Sequence, residues 1–281
     1  MNKFLLSFML LFILACNTGN LTIISDLPST LNEASGIDTT VHSDLIWMLN
    51  DSGNPPVLFG TDHNGNIVKK LKLNAKNKDW EDLTSDTKGN LYIGDFGNNT
   101  NKRKDLAILI VRADSLKNAK ETGVERISFR YPDQKKFPPK KHNFFYDCEA
   151  FFHFNDSLYL FTKSHVKGNG GHTNLYKVPA MKGHYTAELI GSFNAGADSD
   201  SKITSADIDM HGKQIVLLTH TSVWLFNNFK GTDFLGGTAT QLPFYHNSQK
   251  ESVCFKDPNT LYITDEKTHG SAGYLYEFKL R

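Results

Sequence analysis

Asn32-Glu33-Ala34-Ser35-Gly36-Ile37, Trp80-Glu81-Asp82-Leu83, Cys148-Glu149-Ala150-Phe151, Thr204-Ser205-Ala206-Asp207-Ile208 and Lys250-Glu251-Ser252-Val253-Cys254 read as five copies of one opening. Each places an acid or a serine at the same point. About ten residues later each is followed by a second apolar run: Leu45-Ile46-Trp47-Met48, Leu91-Tyr92-Ile93, Leu158-Tyr159-Leu160, Ile215-Val216-Leu217 and Leu261-Tyr262-Ile263. Third runs follow at Val57, Ile108, Leu175, Val223 and Tyr274, and fourth runs at Ile67, Ile127, Leu189 and Gln241. The runs are short, rich in Tyr, Phe, Ile and Val, and divided by Gly, Asn and Asp turns such as His63-Asn64-Gly65-Asn66. That is the pattern of strands and hairpins, and no stretch keeps a helical period.

Self-similar units of four antiparallel strands bury their faces on one another and close into a ring. The chain is therefore expected to be all-β, a five-bladed β-propeller of four-stranded blades. The fifth unit has only three runs before the end at Arg281. Leu21-Thr22-Ile23-Ile24, just ahead of the first unit, is predicted to supply its fourth strand and hide two open edges.

Composition limits the classes of function. The 281 residues carry 31 Lys and Arg against 30 Asp and Glu, a formal net charge of +1, which supplies no general drive toward nucleic acid. Lysines cluster at 69–78 and 135–141 without interleaved aromatics, the pattern of solvated loops. Lys3 precedes an apolar run from Phe4 to Leu14, too short to span a bilayer as a helix. Ile13-Leu14-Ala15-Cys16 resembles a bacterial lipobox, with Leu14 where Ala or Ser is usual. The expected organisation is a signal peptide at 1–15, a linker at 16–20 lipidated on Cys16, and one propeller domain at 21–281. The expected location is the bacterial cell envelope, with the membrane as partner through the acyl chains and the domain a monomer. Cys148 and Cys254 lie in non-adjacent units and are expected as buried free thiols.

In such a ring the first strand of every blade lines the axis, so Ser35, Glu81, Glu149, Ser205 and Glu251 are predicted to converge at one face. Glu33 should sit close by. The second strands end at that same face, bringing Asp51, Asp95, Asn98, Lys163, His165, His220, Asp265 and Lys267, with Arg103 nearby. Several carboxylates held together need raised pKa values or a neutralising cation. Oxygen donors alone favour a hard ion, and Ca2+ on Ser35, Glu81, Glu149, Ser205 and Glu251 is the expected cofactor.

In this order of residues the chain resembles the calcium-activated nucleotidases (apyrases). Those are five-bladed propellers holding one axial calcium with Ser, Glu, Glu, Ser and Glu from successive first strands. Here the separations are 46, 68, 56 and 46 residues, with Glu-Ala-Ser at the first position and Glu-Ser at the last. The resemblance covers the ring layout and not the nucleotide-contacting loops. The Asn-Asp-Ser-Gly and Asp-Trp-Glu-Asp stretches also resemble those of uncharacterised exported propeller lipoproteins of bacteria.

Three functions compete. The first is a binding module whose calcium-bearing face captures a small molecule, glycan or protein, with Glu33, Asp51, Asn98, Arg103, Lys163, Asp265 and Lys267 as ligand contacts. The second is a calcium-dependent hydrolase of phosphate esters or anhydrides. There Glu81, Asp82 or Asp95 would position water, and Lys163, His165, His220, Lys267 and Arg103 would balance phosphate charge. The third is a glycoside hydrolase using acids of successive blades, such as Asp51, Asp95 and Glu149. No Gly-x-Ser-x-Gly elbow or phosphate loop points to a nucleophile, so the binding reading is the main expectation.

Overall fold

The computed structural model describes residues 18–41, 43–267 and 273–280. The expected signal peptide and Cys16 lie outside the described residues. The described chain is nearly all β, in five antiparallel sheets arranged as a five-bladed propeller.

Blade I is built from Ala34–Thr39, Ile46–Asn50, Val57–Thr61 and Ile67–Leu73. Blade II takes Trp80–Ser85, Leu91–Asp95, Ala107–Val111 and Glu125–Arg130. Blade III takes Asp147–Phe154, Ser157–Lys163, His172–Pro179 and Glu188–Asn194. Blade IV takes Ser205–Ile208, Gln214–Leu218, Ser222–Asn227 and Thr238–Pro243. In blade V, Lys250–Asp257, Thr260–Asp265 and Tyr274–Lys279 are completed by Thr22–Asp26 from the start of the described chain. That closing strand pairs antiparallel with Tyr274–Lys279, Thr22 opposite Glu277 and Asp26 opposite Tyr274.

The innermost strands contact one another in ring order, I to II to III to IV to V and back to I. Between them lie five apolar clusters, one for each blade junction, so every junction has its own core. The junction of blades II and III is the most aromatic: Phe96, wholly buried, meets Phe151 edge-on at 5.1 Å between centroids. Strand sequences follow this geometry. Second and third strands such as Leu91–Asp95 and Ala107–Val111 are buried on both faces and read as unbroken runs. The outer strand Ile67–Leu73, with solvent on one side, alternates and exposes Val68, Lys70 and Lys72.

The turns at the far end of the ring share one device. Asp62, Asp86 and Asp209 each accept backbone N–H bonds from residues two and four positions on. Gly65, Gly89 and Gly212 then supply the left-handed backbone that the turn requires, with φ of 79, 80 and 63°. These carboxylates belong to the turns, which leaves the near face to the acids discussed below.

Two short strands add to the expected four per blade. Glu121–Thr122 pairs parallel with the outer strand of blade I, and Gly183–Thr186 pairs parallel with that of blade II. Each comes from the third-to-fourth connection of the following blade and covers part of an edge. The single α-helix among the described residues, Ala113–Asn118, caps the first of these connections.

Candidate cation site on the ring axis

Four of the five innermost strands break register, and they break it at the residue that faces the axis. The shifts fall between Ala34 and Gly36, Trp80 and Leu83, Cys148 and Ala150, and Lys250 and Ser252. A bulge leaves one residue unpaired and re-aims its side chain. Ser35, Glu81, Glu149 and Glu251 are the residues so released. They line one polar cavity of about 150 Å³ together with Asp51, Asn99, Lys163, Thr204, Gln249 and Glu266.

Blade IV has no such shift, and Ser205 pairs regularly with Leu218. Its neighbour Thr204 reaches the cavity in its place. The equivalence shows in the bonding: Ser35 Oγ donates to Trp80 O at 3.0 Å and Thr204 Oγ1 donates to Lys250 O at 2.7 Å. Each hydroxyl thus grips the carbonyl just before the next blade's glutamate. Ser205 sits one layer deeper, donating to Asp82 Oδ1 at 3.1 Å and accepting from Val253 N at 3.1 Å.

Asp82 belongs to that deeper layer. Its carboxylate is wholly buried and accepts the N–H groups of Leu83 and Phe151 at 2.9 and 3.1 Å besides the Ser205 hydroxyl. It ties blades II, III and IV together. Gly36 shows how close the blades come here, since a Cβ on it would lie 2.9 Å from Leu83 N.

The second-strand ends divide into residues that face the cavity and residues that hold its walls. Asp51, Lys163 and Glu266 face it. Asp95, 1% exposed, is held by Arg103 Nη2 at 3.0 Å, and Arg103 Nη1 also donates to Gly97 O at 2.8 Å. Asn98 donates to Tyr146 O at 2.9 Å and accepts from Arg103 N at 2.8 Å, while its neighbour Asn99 lines the cavity. Asp265 accepts from Tyr274 N and Tyr276 Oη, both at 2.7 Å. His165 Nε2 donates to the buried Asp147, whose other oxygen accepts from Asn98 N. His220 Nε2 is buried 3.5 Å from Glu251 Oε1 without a hydrogen-bond partner. Glu33 is exposed and takes a bond from Asn54 Nδ2, and Lys267 is exposed with its N–H on Asn32 O. Cys148 and Cys254 are buried free thiols.

Five carboxylates therefore line the cavity, those of Asp51, Glu81, Glu149, Glu251 and Glu266, with Lys163 as the one cation in its lining, and Asp79 stands beside Asp51 and Glu81. Lys163 Nζ lies 3.1 Å from Glu149 Oε2. Burial opposes its charge, yet Glu149, Glu251, Asp147 and Glu81 outweigh burial and hold it well above the ordinary lysine range. The acids show the strain of crowding. Burial, reinforced by Asp147 and Glu251, pushes Glu149 up to about 8 against the pull of Lys163. Burial and the charges of Glu251 and Asp51 push Glu266 to about 8. Asp79 rises to about 6 through burial and Asp51, and Glu81 stands well above its usual value through burial, Glu149 and Asp51. His165 is lowered to about 4 by burial, Lys202 and Lys163, so it is a neutral donor to Asp147. Sequence reasoning passed over Asp79, Glu266 and Thr204. The first stands just before a repeat opening and the second just after a strand end, where the repeat gives no register.

A larger cavity of about 330 Å³ lies at the opposite end, between blades I and II. It is lined by Leu45, Trp47, Val68, Lys69 and Leu116 among others, with no carboxylate. The acid-lined cavity is smaller than the roughly 300–1,000 Å³ of pockets that enclose a whole small ligand. It has room for an ion and one polar group.

No family model matches the chain, and no curated protein matches it. Solved structures do. A nidogen–laminin complex is similar with a TM-score of 0.50 at 10% identity, over 83% of this chain and 72% of that one. A gluconolactonase from Xanthomonas campestris gives 0.47 at 12% identity, over 88% and 72%. A catalytically inactive virginiamycin B lyase from Staphylococcus aureus, solved with quinupristin, gives 0.43 at 12% identity, over 90% and 68%. At such identities the likeness is one of fold, and the chemistry of the face rests on this chain's own residues.

Proposed function

We propose that this chain is a lipid-anchored envelope propeller whose axial face binds a divalent cation, calcium by its all-oxygen donors, and uses it to capture one polar group of a larger ligand. The observation that carries this is the charge imbalance of the cavity: five lining carboxylates against one lysine, at the point where four bulges aim side chains inward. A hard cation with six to eight oxygen ligands relieves that imbalance. The small cavity favours a carboxylate, phosphate or hydroxyl group as the captured part, with the rest of the ligand lying on the rim. In this reading the domain acts as a monomer, and Cys16 carries the acyl chains a few residues ahead of the closing strand.

A second reading is a calcium-dependent hydrolase of phosphate esters or anhydrides, like the nucleotidases. It is favoured by Asp79, which stands beside the cavity-lining Asp51 and Glu81, is raised to about 6 by burial and Asp51, and is thus suited to act as a base near neutrality. One experiment separates the two. Melting temperature and phosphate release from a nucleoside diphosphate are measured with calcium and with chelator. Binding alone gives a calcium-dependent rise in melting temperature and no phosphate. Hydrolysis gives both, with release stopped by chelator. Neither effect would overturn both readings.

A further inference from the structure

We propose that the cation sits off the ring axis, on Asp51, Asp79 and Glu81, and that Lys163 fills the axial position as a built-in cation. This rests on the cation-binding reading above and moves the ion away from the ring of Ser and Glu expected from the sequence.

The axial position is already served. Lys163 Nζ reaches in from blade III to Glu149, and Ser205 is spent between Asp82 and Val253 N. Off the axis the situation is reversed. One carboxylate oxygen each from Asp51, Asp79 and Glu81 lies within 4.8 Å of the others. That is the separation expected of oxygens sharing one ion at about 2.3–2.6 Å. Glu81 is 7% exposed and lines the cavity. Among the described residues no hydrogen bond or ion pair within 4 Å reaches its carboxylate. A buried carboxylate in that state is costly, and a bound cation removes the cost. Among the described residues Arg103 is the one cation in ion-pair reach of the trio, at 3.8 Å from Asp79 Oδ2, and Ser52 N donates to Asp51 Oδ1.

The surrounding backbone is shaped for these carboxylates. A Cβ on Gly97 would lie 1.9 Å from Glu81 Oε1 and 2.7 Å from Asp79 Oδ2, so any larger residue there would push these carboxylates out of their present positions. Asn77 fixes the two loops that carry it: its Nδ2 donates to Asp51 O at 2.7 Å and its Oδ1 accepts from Trp80 N at 3.1 Å. Three carboxylates leave half or more of a calcium's ligand positions open. Asp51 and Glu81 line the cavity, so such positions would be open to water or the oxygens of an anionic ligand.

Calorimetric titration of calcium into chelator-treated wild type, Asp79→Asn, Glu251→Gln and Gly97→Ala tests this, with circular dichroism to check folding. Asp79→Asn is expected to lose at least tenfold more affinity than Glu251→Gln, and Gly97→Ala to lose about tenfold. A larger loss in Glu251→Gln than in Asp79→Asn places the ion on the axis and overturns the proposal while leaving the cation reading standing. If Asp79→Asn does not fold, an undiminished affinity in folded Gly97→Ala overturns it equally. A wild type that binds no calcium removes both.

Discussion

Asp82 is the residue on which three blades depend. Three backbone donors and one hydroxyl, from blades II, III and IV, point at one buried carboxylate. Removing an acceptor strands its donors, at about 1–3 kcal/mol for each group left unsatisfied. Asp82→Ala is expected to lower stability by about 3 kcal/mol in urea denaturation. A loss under about 0.5 kcal/mol would show that water takes over these bonds. This residue also marks how far the sequence is legible. The repeat openings put Ser35, Glu81, Glu149 and Glu251 at equivalent places because each lies in a bulge, unpaired, with Asp82 unpaired beside Glu81 in blade II. Ser205 looked equivalent from apolar spacing, but blade IV has no bulge and the cavity receives Thr204. Bulges leave no trace in apolar spacing, so a one-residue offset between blades shows only once the strands are paired.

At the scale of elements, the hairpin pattern was fully legible. The five openings, their following runs and the closing strand all appear where turn residues and alternating apolar runs place them. The short parallel additions at Glu121–Thr122 and Gly183–Thr186 were not, since two to four residues paired across blades carry no periodicity of their own. The closing strand has the clearest consequence. Its Ile23 packs on the core between blades IV and V and Ile24 on that between V and I. Deleting residues through Asp26 would open blade V at Tyr274–Lys279 and uncover both cores. The truncated chain is expected to aggregate or to melt at least 10 °C lower. An unchanged melting temperature would mean that the ring does not depend on this closure.

For the whole molecule, near-neutral net charge conceals a strong local field: acids collect on the axis of one face, where Lys163 is the one lysine in the cavity lining. The acids at the axis make stability depend on pH. Glu149 and Glu266 are held at about 8, above the ordinary 4.5, first by burial and then by neighbouring carboxylates. The native state thus keeps protons that the unfolded chain releases. The stability these protons contribute is complete below about pH 4.5 and is lost as pH rises through about 8. Chelator-treated protein is expected to lose several degrees of melting temperature between about pH 5 and about pH 8.5, and calcium to restore part of it at the upper end. A melting temperature that rises over that interval would contradict the assignment. The most direct test of the central claim is calorimetric titration of calcium into the chelator-treated wild-type protein near neutral pH. One ion bound per chain is the expected result. No binding would mean that Lys163 and retained protons alone neutralise the face, and that the ring carries its acids without a metal.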